Sequence, residues 1–250
     1  MNEKLVSIIM PTYNCAKFIA RTFDSLQAQT YQNWELIVVD DHSQDNTKKI
    51  VEEYMKNDSR IQYHLLDVNS GAAVARTTAM KLAKGSYMAF LDSDDIWTPD
   101  KLERQIKWMN DNGYAFSCTA YEQIGEDDNL LNRTIKTIEK TDYNRLLLDC
   151  PVGNSTVVYD VEKMGKFEVP NIRKRNDYAL WLQMLKKEKY IWGMPDVLMK
   201  YRIRQNSISS NKFKLLKYHW TLYREIEHLS VLRSAFHIFW WCVIKILHIK

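Results

Sequence analysis

The stretch Met88-Ala89-Phe90-Leu91-Asp92-Ser93-Asp94-Asp95-Ile96-Trp97 sets the reading of the chain. Four apolar residues run directly into three carboxylates within four positions. An apolar run this short reads as a buried strand. The carboxylates then sit just past its carboxyl end, where open parallel sheets place their ligands. Three acids this close repel one another and call for a counter-charge. A divalent cation, Mg²⁺ or Mn²⁺, suits carboxylates and phosphate oxygens. The alternative at this point is an acidic loop that caps the next helix.

Outward from this run, apolar segments alternate with amphipathic ones. Residues 5–10, 35–39, 61–66 and 87–91 read as strands, and 17–29, 47–57 and 72–84 as helices. This alternation predicts an α/β fold, with a parallel sheet covered on both faces and right-handed crossovers. The first glycine in the chain is Gly71. Neither a G-x-G-x-x-G turn nor a P-loop can therefore follow the first strand. That strand ends instead in Pro11-Thr12-Tyr13-Asn14. Proline and asparagine make a stiff turn, and the tyrosine offers a flat face and a hydroxyl that suit a nucleobase. An ordinary β-to-α turn is equally consistent with those four residues.

The second strand ends in Asp40-Asp41, whose side chains point to opposite faces if the strand persists. One carboxylate here can accept a base N–H, while Ser43 and Asp45 suit the cap of the next helix. After the third strand comes Asn69-Ser70-Gly71-Ala72-Ala73-Val74-Ala75-Arg76. Arg76 either reaches inward to a phosphate or stands in solvent. Four polar strand ends on one sheet edge are together accounted for by a nucleotide lying along it.

Composition narrows the class. The 250 residues are 46% apolar and 26% charged, within the ordinary globular range and enough for one large α/β domain or two small ones. Cys15, Cys118, Cys150 and Cys242 lie far apart, which suits free thiols and argues against a disulfide framework or a zinc site. The apolar run after Met1 is too short for a secretory signal, so a cytoplasmic location is expected. Charge is uneven. From Tyr201 onward there are nine Lys/Arg against two Glu, and before it 26 Lys/Arg against 29 acids, leaving +7 on the tail and −3 on the body. A basic tail predicts an anionic partner surface.

The segments 6–14 (VSIIMPTYN), 35–45 (ELIVVDDHSQD), 69–76 and 91–97 resemble, in order and spacing, the family 2 inverting glycosyltransferases of the GT-A fold. The similarity covers roughly the first 205 residues. It implies a Rossmann-like, mostly parallel central sheet flanked by helices, with about 1–112 as the nucleotide-binding half and 113–205 as the acceptor half. It implies a UDP-sugar donor whose uracil and ribose meet Pro11, Thr12, Tyr13, Asn14 and Asp41, with Arg76 near the nucleotide. Asp92 and Asp94 would form the D-x-D pair, Asp92 toward the ribose and Asp94 on Mn²⁺ or Mg²⁺, with Asp95 either assisting the metal or capping a helix. In Arg173-Lys174-Arg175-Asn176-Asp177, Asn176 stands where relatives carry a first acid. Asp177 remains as the catalytic base, a role compatible with a helix N-cap at the same position, with Asn176 facing the acceptor and Trp97 either offering an apolar face to a sugar ring or lying in the core. The run Tyr201-Arg202-Ile203-Arg204-Gln205-Asn206-Ser207-Ile208-Ser209 resembles the family's closing motif, with Arg204 where a metal-binding His is common. Arginine has no lone pair to ligate a metal, so Arg202 or Arg204 would instead neutralise the leaving diphosphate. Residues 125–129 read as a solvated hairpin tip.

In 206–250, Leu222, Ile226 and Leu229, then Leu232, Phe236, Phe239, Val243 and Leu247, recur at helical spacing, broken by Arg233 and Lys245. No stretch is long enough to span a bilayer. A basic, Trp-rich amphipathic helix at the membrane surface is expected, with packing on the catalytic domain or a homodimer partner as the competing reading. The combined expectation is sugar transfer to a lipid-linked oligosaccharide acceptor in bacterial surface polysaccharide synthesis. The enzyme would be cytoplasmic and peripheral to the inner face of the plasma membrane, with no nucleic-acid partner. A sugar-phosphate nucleotidyltransferase and a catalytically silent nucleotide-sugar-binding protein are the alternatives. The former normally needs a glycine-rich basic loop after strand one, which this chain lacks.

Overall fold

The first strand, β1 (Val6–Thr12), is buried along its whole length, and its side chains alternate between two separate cores. Val6, Ile8 and Met10 enter one apolar cluster and Ile9 enters the other, as the two-residue period of a strand requires. A strand covered on both faces is what a sheet between two helix layers needs. The structure is a computed structural model and describes residues 3–204 and 212–247.

The chain continues through α1 (Ile19–Gln27), β2 (Trp34–Asp40), α2 (Thr47–Asn57), β3 (Ile61–Leu65), α3 (Ala72–Leu82) and β4 (Tyr87–Phe90). These four strands are mutually parallel in the order β3-β2-β1-β4. Thr12 pairs with Asp40, and Ile9 with Phe90, so the carboxyl ends of the strands open onto one edge. The expected α/β arrangement is therefore present in the first half.

The second half is mixed. After β5 (Ile96–Trp97) and α4 (Lys101–Asn112) come β6 (Phe116–Ile124), β7 (Leu130–Ile135) and β8 (Lys140–Thr141). Next are α5 (Tyr143–Leu148), a 3₁₀ turn (Asn154–Thr156), β9 (Val158–Asp160), α6 (Val161–Met164), α7 (Asn176–Leu185) and β10 (Ile191–Arg202). β9 joins β4 to β6 and runs antiparallel to both. β10 runs parallel to β6 and carries two register shifts, between Met194 and Val197 and between Val197 and Lys200. The continuous ladder is β3-β2-β1-β4-β9-β6-β10-β5, with β7 on β6 and β8 on β10.

The C-terminal segment forms α8 (Lys212–Thr221), a π-helical turn (Leu222–Ile226) and α9 (Val231–Leu247). The apolar stripe divides between two faces. Leu222, Tyr223 and Leu229 are buried in the same core as α7, while Leu232, Phe236, Phe239 and Leu247 are exposed. Tyr223 donates to the carbonyl of Leu147, and buried Glu227 accepts from Tyr143 and pairs with Lys186. The first part of the tail is thus a layer of the folded domain. Among the described residues no helix is long and apolar enough to cross a membrane.

Candidate active site

The carboxyl edge of the parallel strands is built from loops that tie one another down. Asn14 adopts a left-handed conformation (φ 48°), which asparagine tolerates better than most residues. Its N–H donates to Ser43 Oγ at 2.8 Å, and its side-chain oxygen accepts from the Gln44 N–H at 2.8 Å. Pro11 stays in the β1 ladder opposite Val39. Thr12 is buried, and its hydroxyl is one of the buried polar atoms without a partner among the described residues. Tyr13, 47% exposed, presents its ring at the edge. An unpaired hydroxyl beside an open aromatic face is what a docking nucleoside would complete.

Asp40 and Asp41 do diverge. Asp40 accepts from the Ser43 N–H and from the Tyr63 hydroxyl, at 2.8 and 2.9 Å. Asp41 reaches across to the loop before α3, accepting from the N–H groups of Ser70 (2.6 Å) and Gly71 (2.8 Å). Gly71 has φ +93°, a backbone state that side chains rarely adopt, so glycine lets this N–H face the carboxylate. Asp41 is the clamp that joins the β2 and α3 ends of the edge.

The acids of the opening stretch separate into three environments. Asp92 is two-thirds buried. Its carboxylate accepts from Asn154 at 2.8 Å and pairs with Arg76 at 3.2 Å. Desolvation pushes its pKa up to about 6, with Asp94 and Asp177 acting the same way, while Arg76 and Asn154 pull it down. Asp94 pairs with Arg204 at 2.9 Å. Asp95 is buried, accepting from Ser155 Oγ at 2.5 Å and from the Arg202 N–H at 3.0 Å. Burial, then Asp94 and Asp92, push its pKa well up. Asp95 is therefore neither the metal ligand nor the helix cap expected of it. It knots the acid loop to the 3₁₀ turn and to the end of β10.

Four other expectations change. Arg76 is neither solvent-exposed nor free for a phosphate: it is buried in α3, donating to Asn176 and to Asp92. The small residues Ala72, Ala73 and Ala75 let α3 pack closely enough for this. Arg202 is a strut whose side chain is fully buried. It donates to the carbonyls of Asp94 (2.8 Å) and Gly125 (3.0 Å) and forms an ion pair with the carboxylate of Asp128 (2.5 Å), so it is not placed to meet a leaving diphosphate. Trp97 belongs to the core. Its indole N–H donates to the Ser155 carbonyl at 2.7 Å and its ring faces Lys101 at 3.6 Å, leaving no open face for a sugar. The 125–129 tip is likewise not free in solvent, because Glu126 pairs with Lys17 and Asp128 with Arg21 on α1.

Asn176 and Asp177 open α7, Asn176 buried against Arg76 and Asp177 half-exposed. The charge of Asp177 is felt at Asp92, so the acid motif and the expected base share one field. Gln205 to Ser209, the remainder of the closing segment, lies outside the described residues.

Among the described residues, no group of three or more His, Cys, Asp and Glu is placed to hold a metal. The donor set that remains is small: Asp94, with Asp92 beside it. That set fits Mg²⁺ or Mn²⁺ carried in on substrate phosphates, since such ions commonly take one or two carboxylates plus phosphate oxygens. The 3₁₀ turn is the contribution that motif reading missed. Asn154 and Ser155 both contact the acid loop, and their only trace in the sequence is a polar triplet, Asn154-Ser155-Thr156, ahead of a short apolar run.

The sequence model of the family described as Glycosyl transferase family 2 matches residues 7–170. The chain belongs to that family. Among relatives of this glycosyltransferase, the putative teichuronic acid biosynthesis glycosyltransferase TuaG of Bacillus subtilis is 44% identical over 243 residues, covering 97% of this chain and 94% of TuaG. The Escherichia coli UDP-Glc:alpha-D-GlcNAc-diphosphoundecaprenol beta-1,3-glucosyltransferase WfgD is 45% identical over 221 residues, covering 88% of this chain and 85% of WfgD. Among solved structures, S. aureus TarS 1-349 in complex with UDP superposes with a TM-score of 0.70 at 19% identity, covering 95% of this chain and 70% of TarS 1-349. That likeness establishes the GT-A fold for this glycosyltransferase.

Proposed function

We propose that this glycosyltransferase moves a sugar from a UDP-sugar, with inversion at the anomeric carbon, onto a hydroxyl of a saccharide carried on a lipid diphosphate. The reaction would serve bacterial surface polysaccharide synthesis at the inner face of the cytoplasmic membrane. The observation that carries this reading is the buried bridge Asp92–Arg76–Asn176, which fixes the donor edge against the residue next to Asp177. TuaG and WfgD support the pathway and the acceptor class by their names, and WfgD names UDP-Glc as donor.

In this mechanism Tyr13 and Thr12 receive the nucleoside and Asp92 faces the ribose. Asp177 removes the proton of the acceptor hydroxyl as that oxygen attacks the anomeric carbon. The bond to the UDP oxygen breaks on the opposite side, and an oxocarbenium-like charge passes between the two. Arg204, the cation on Asp94, lies where it can turn onto the departing diphosphate. A divalent cation held by Asp94 and Asp92 would supply further charge neutralisation there. The sugar is a hexose or an N-acetylhexosamine.

The test is UDP release with UDP-Glc, UDP-Gal and their N-acetyl forms, in Mn²⁺ or Mg²⁺, with and without an alkyl-diphosphate GlcNAc acceptor. Acceptor-dependent release from one donor is expected. No release from any of the four overturns the reading.

A further inference from the structure

Helix α9 is amphipathic in the reverse sense of an ordinary surface helix. At 100° per residue, Leu232, Phe236, Phe239, Trp240 and Leu247 fall within an arc of about 100°. Their exposures are 84, 51, 63, 38 and 64%. The opposite arc carries Ser234, His237, Trp241 and Lys245, and this is the side that meets the protein. Ser234, His237 and Trp241 are buried, and Lys245 pairs with Asp149 at 2.8 Å. Ser234, His237 and Lys245 are thus turned inward, while Arg233 stands exposed and a continuous aromatic and aliphatic ridge is turned out. Single exposed apolar side chains need no explanation, but a ridge five residues long marks a contact surface.

The inner face ties the ridge to the reaction site. The Trp241 ring lies 6.0 Å from the guanidinium of Arg175, which precedes Asn176 and Asp177. The Lys245–Asp149 pair stands on the segment that leads to Asn154, a direct partner of Asp92. The ridge is therefore the outer surface of the wall that holds the proposed base.

We infer that α9 docks this glycosyltransferase on an anionic lipid bilayer, lying in the headgroup plane with Leu232, Phe236, Phe239, Trp240 and Leu247 inserted. The choice between a bilayer and a second copy of the chain turns on charge. Of the nine Lys/Arg from Tyr201 on, Arg202, Arg204 and Lys245 pair with Asp128, Asp94 and Asp149 of the body, which leaves six against two Glu, so two such tails repel each other, whereas an anionic leaflet attracts both. Shape agrees. The 17 described residues of the helix span about 25 Å, which is not long and apolar enough to cross a membrane but is long enough to lie along one. The exposed Trp220 on α8 adds an aromatic group of the kind that anchors at headgroup level. The inference deepens the proposed reaction, resting on it only for the lipid-borne acceptor, whose reacting sugar would be held close to the plane on which α9 lies.

The experiment is flotation of the full chain with vesicles of phosphatidylglycerol and phosphatidylcholine, against phosphatidylcholine alone, for the natural chain and for a Phe236→Asp/Phe239→Asp variant. Both side chains are exposed, so the variant should melt like the natural chain. The natural chain should float with the anionic vesicles and be released by salt, and the variant should lose at least about a hundredfold in partitioning. UDP release on a short, detergent-free acceptor should be equal for both. Equal flotation of the two chains, or no flotation of the natural chain, overturns the inference. So does a natural dimer in sedimentation that the variant splits into monomers, which would assign the ridge to a second copy. If neither chain releases UDP while flotation behaves as stated, the proposed reaction fails and the docking surface stands.

Discussion

Arg204 holds the Asp94 carboxylate at 2.9 Å, on the acid proposed to meet a metal–nucleotide. The pair is partly open, with side-chain exposures of 32% and 21%, so it is exchangeable. In the proposed reaction the guanidinium is a resident counter-charge that a metal–nucleotide complex would displace or share. Arg204→Ala should therefore tighten Mn²⁺ binding to the nucleotide-free protein by roughly two- to fivefold while weakening UDP binding. Titration calorimetry of both ligands checks this. Parallel loss of both affinities would show that Arg204 supports the metal site instead.

Arg76 joins three polymer segments that are distant in sequence, and neither Asp92 nor Asn176 can do without it. Removing it leaves Asp92 desolvated with a single amide partner. Arg76→Ala should cost about 2 kcal/mol, below the range for fully buried pairs because a third of Asp92 is open. Arg76→Lys should restore little, since an ammonium lacks the planar fork that meets two acceptors at once. Urea denaturation of the three proteins distinguishes these outcomes.

The raised pKa of Asp92 has a defined consequence for stability. An ordinary aspartate sits at 3.8 and Asp92 is pushed to about 6, so between these values the folded chain binds the proton that the unfolded chain has released. Stability contributed by this group is complete below 3.8 and is lost as pH rises through about 6. In metal-free buffer, the stability difference between the natural chain and Asp92→Asn should change across that window and be flat above it. A difference independent of pH would show that Asp92 is ionised throughout.

Ser155 sits at the centre of the acid loop, accepting from the Asp92 N–H at 3.0 Å while donating to Asp95 at 2.5 Å. It is fully buried, so no water replaces it. Ser155→Ala leaves Asp95 with the Arg202 N–H as its one remaining partner and should cost about 1–3 kcal/mol. It should also lower turnover, because Asp92 and Asp94 flank the same loop. Chemical denaturation and UDP release, measured together, would show whether the two losses travel together.

The parts of the fold that were legible in the sequence are those decided by local pattern. The apolar runs of β1 to β4 declared the parallel half and the edge onto which its strands open, because burial on both faces demands continuous apolar side chains. The excursions of single long side chains were not legible. Arg202 ends β10 and Arg204 lies two residues beyond it, yet one is swallowed as a strut and the other stays at the acid. Two register shifts upstream in that strand alter which way its residues face, and no spacing rule anticipates them. Trp97 looked like a platform for a sugar until its indole N–H found the Ser155 carbonyl. The tail stripe was read as one face, although the π-turn at Leu222–Ile226 and the break before α9 rotate its two halves apart.

Asp177 carries the last prediction. It lies in the first turn of α7, half-exposed, beside the Asn176 that Arg76 holds, and its charge reaches Asp92. If it takes the acceptor proton, Asp177→Asn removes the base without removing volume, and the neighbouring bridge stays intact. Turnover should then fall by roughly 10²–10⁴-fold, with UDP affinity and melting temperature little changed. A helix-capping role predicts the opposite division, with stability falling and turnover following only in proportion. Single-turnover UDP release at saturating donor, read beside thermal melting, separates the two. Asp177→Glu keeps a base but moves it about one bond outward, so partial turnover there supports proton transfer, because a purely structural residue has no reason to prefer a carboxylate over its amide.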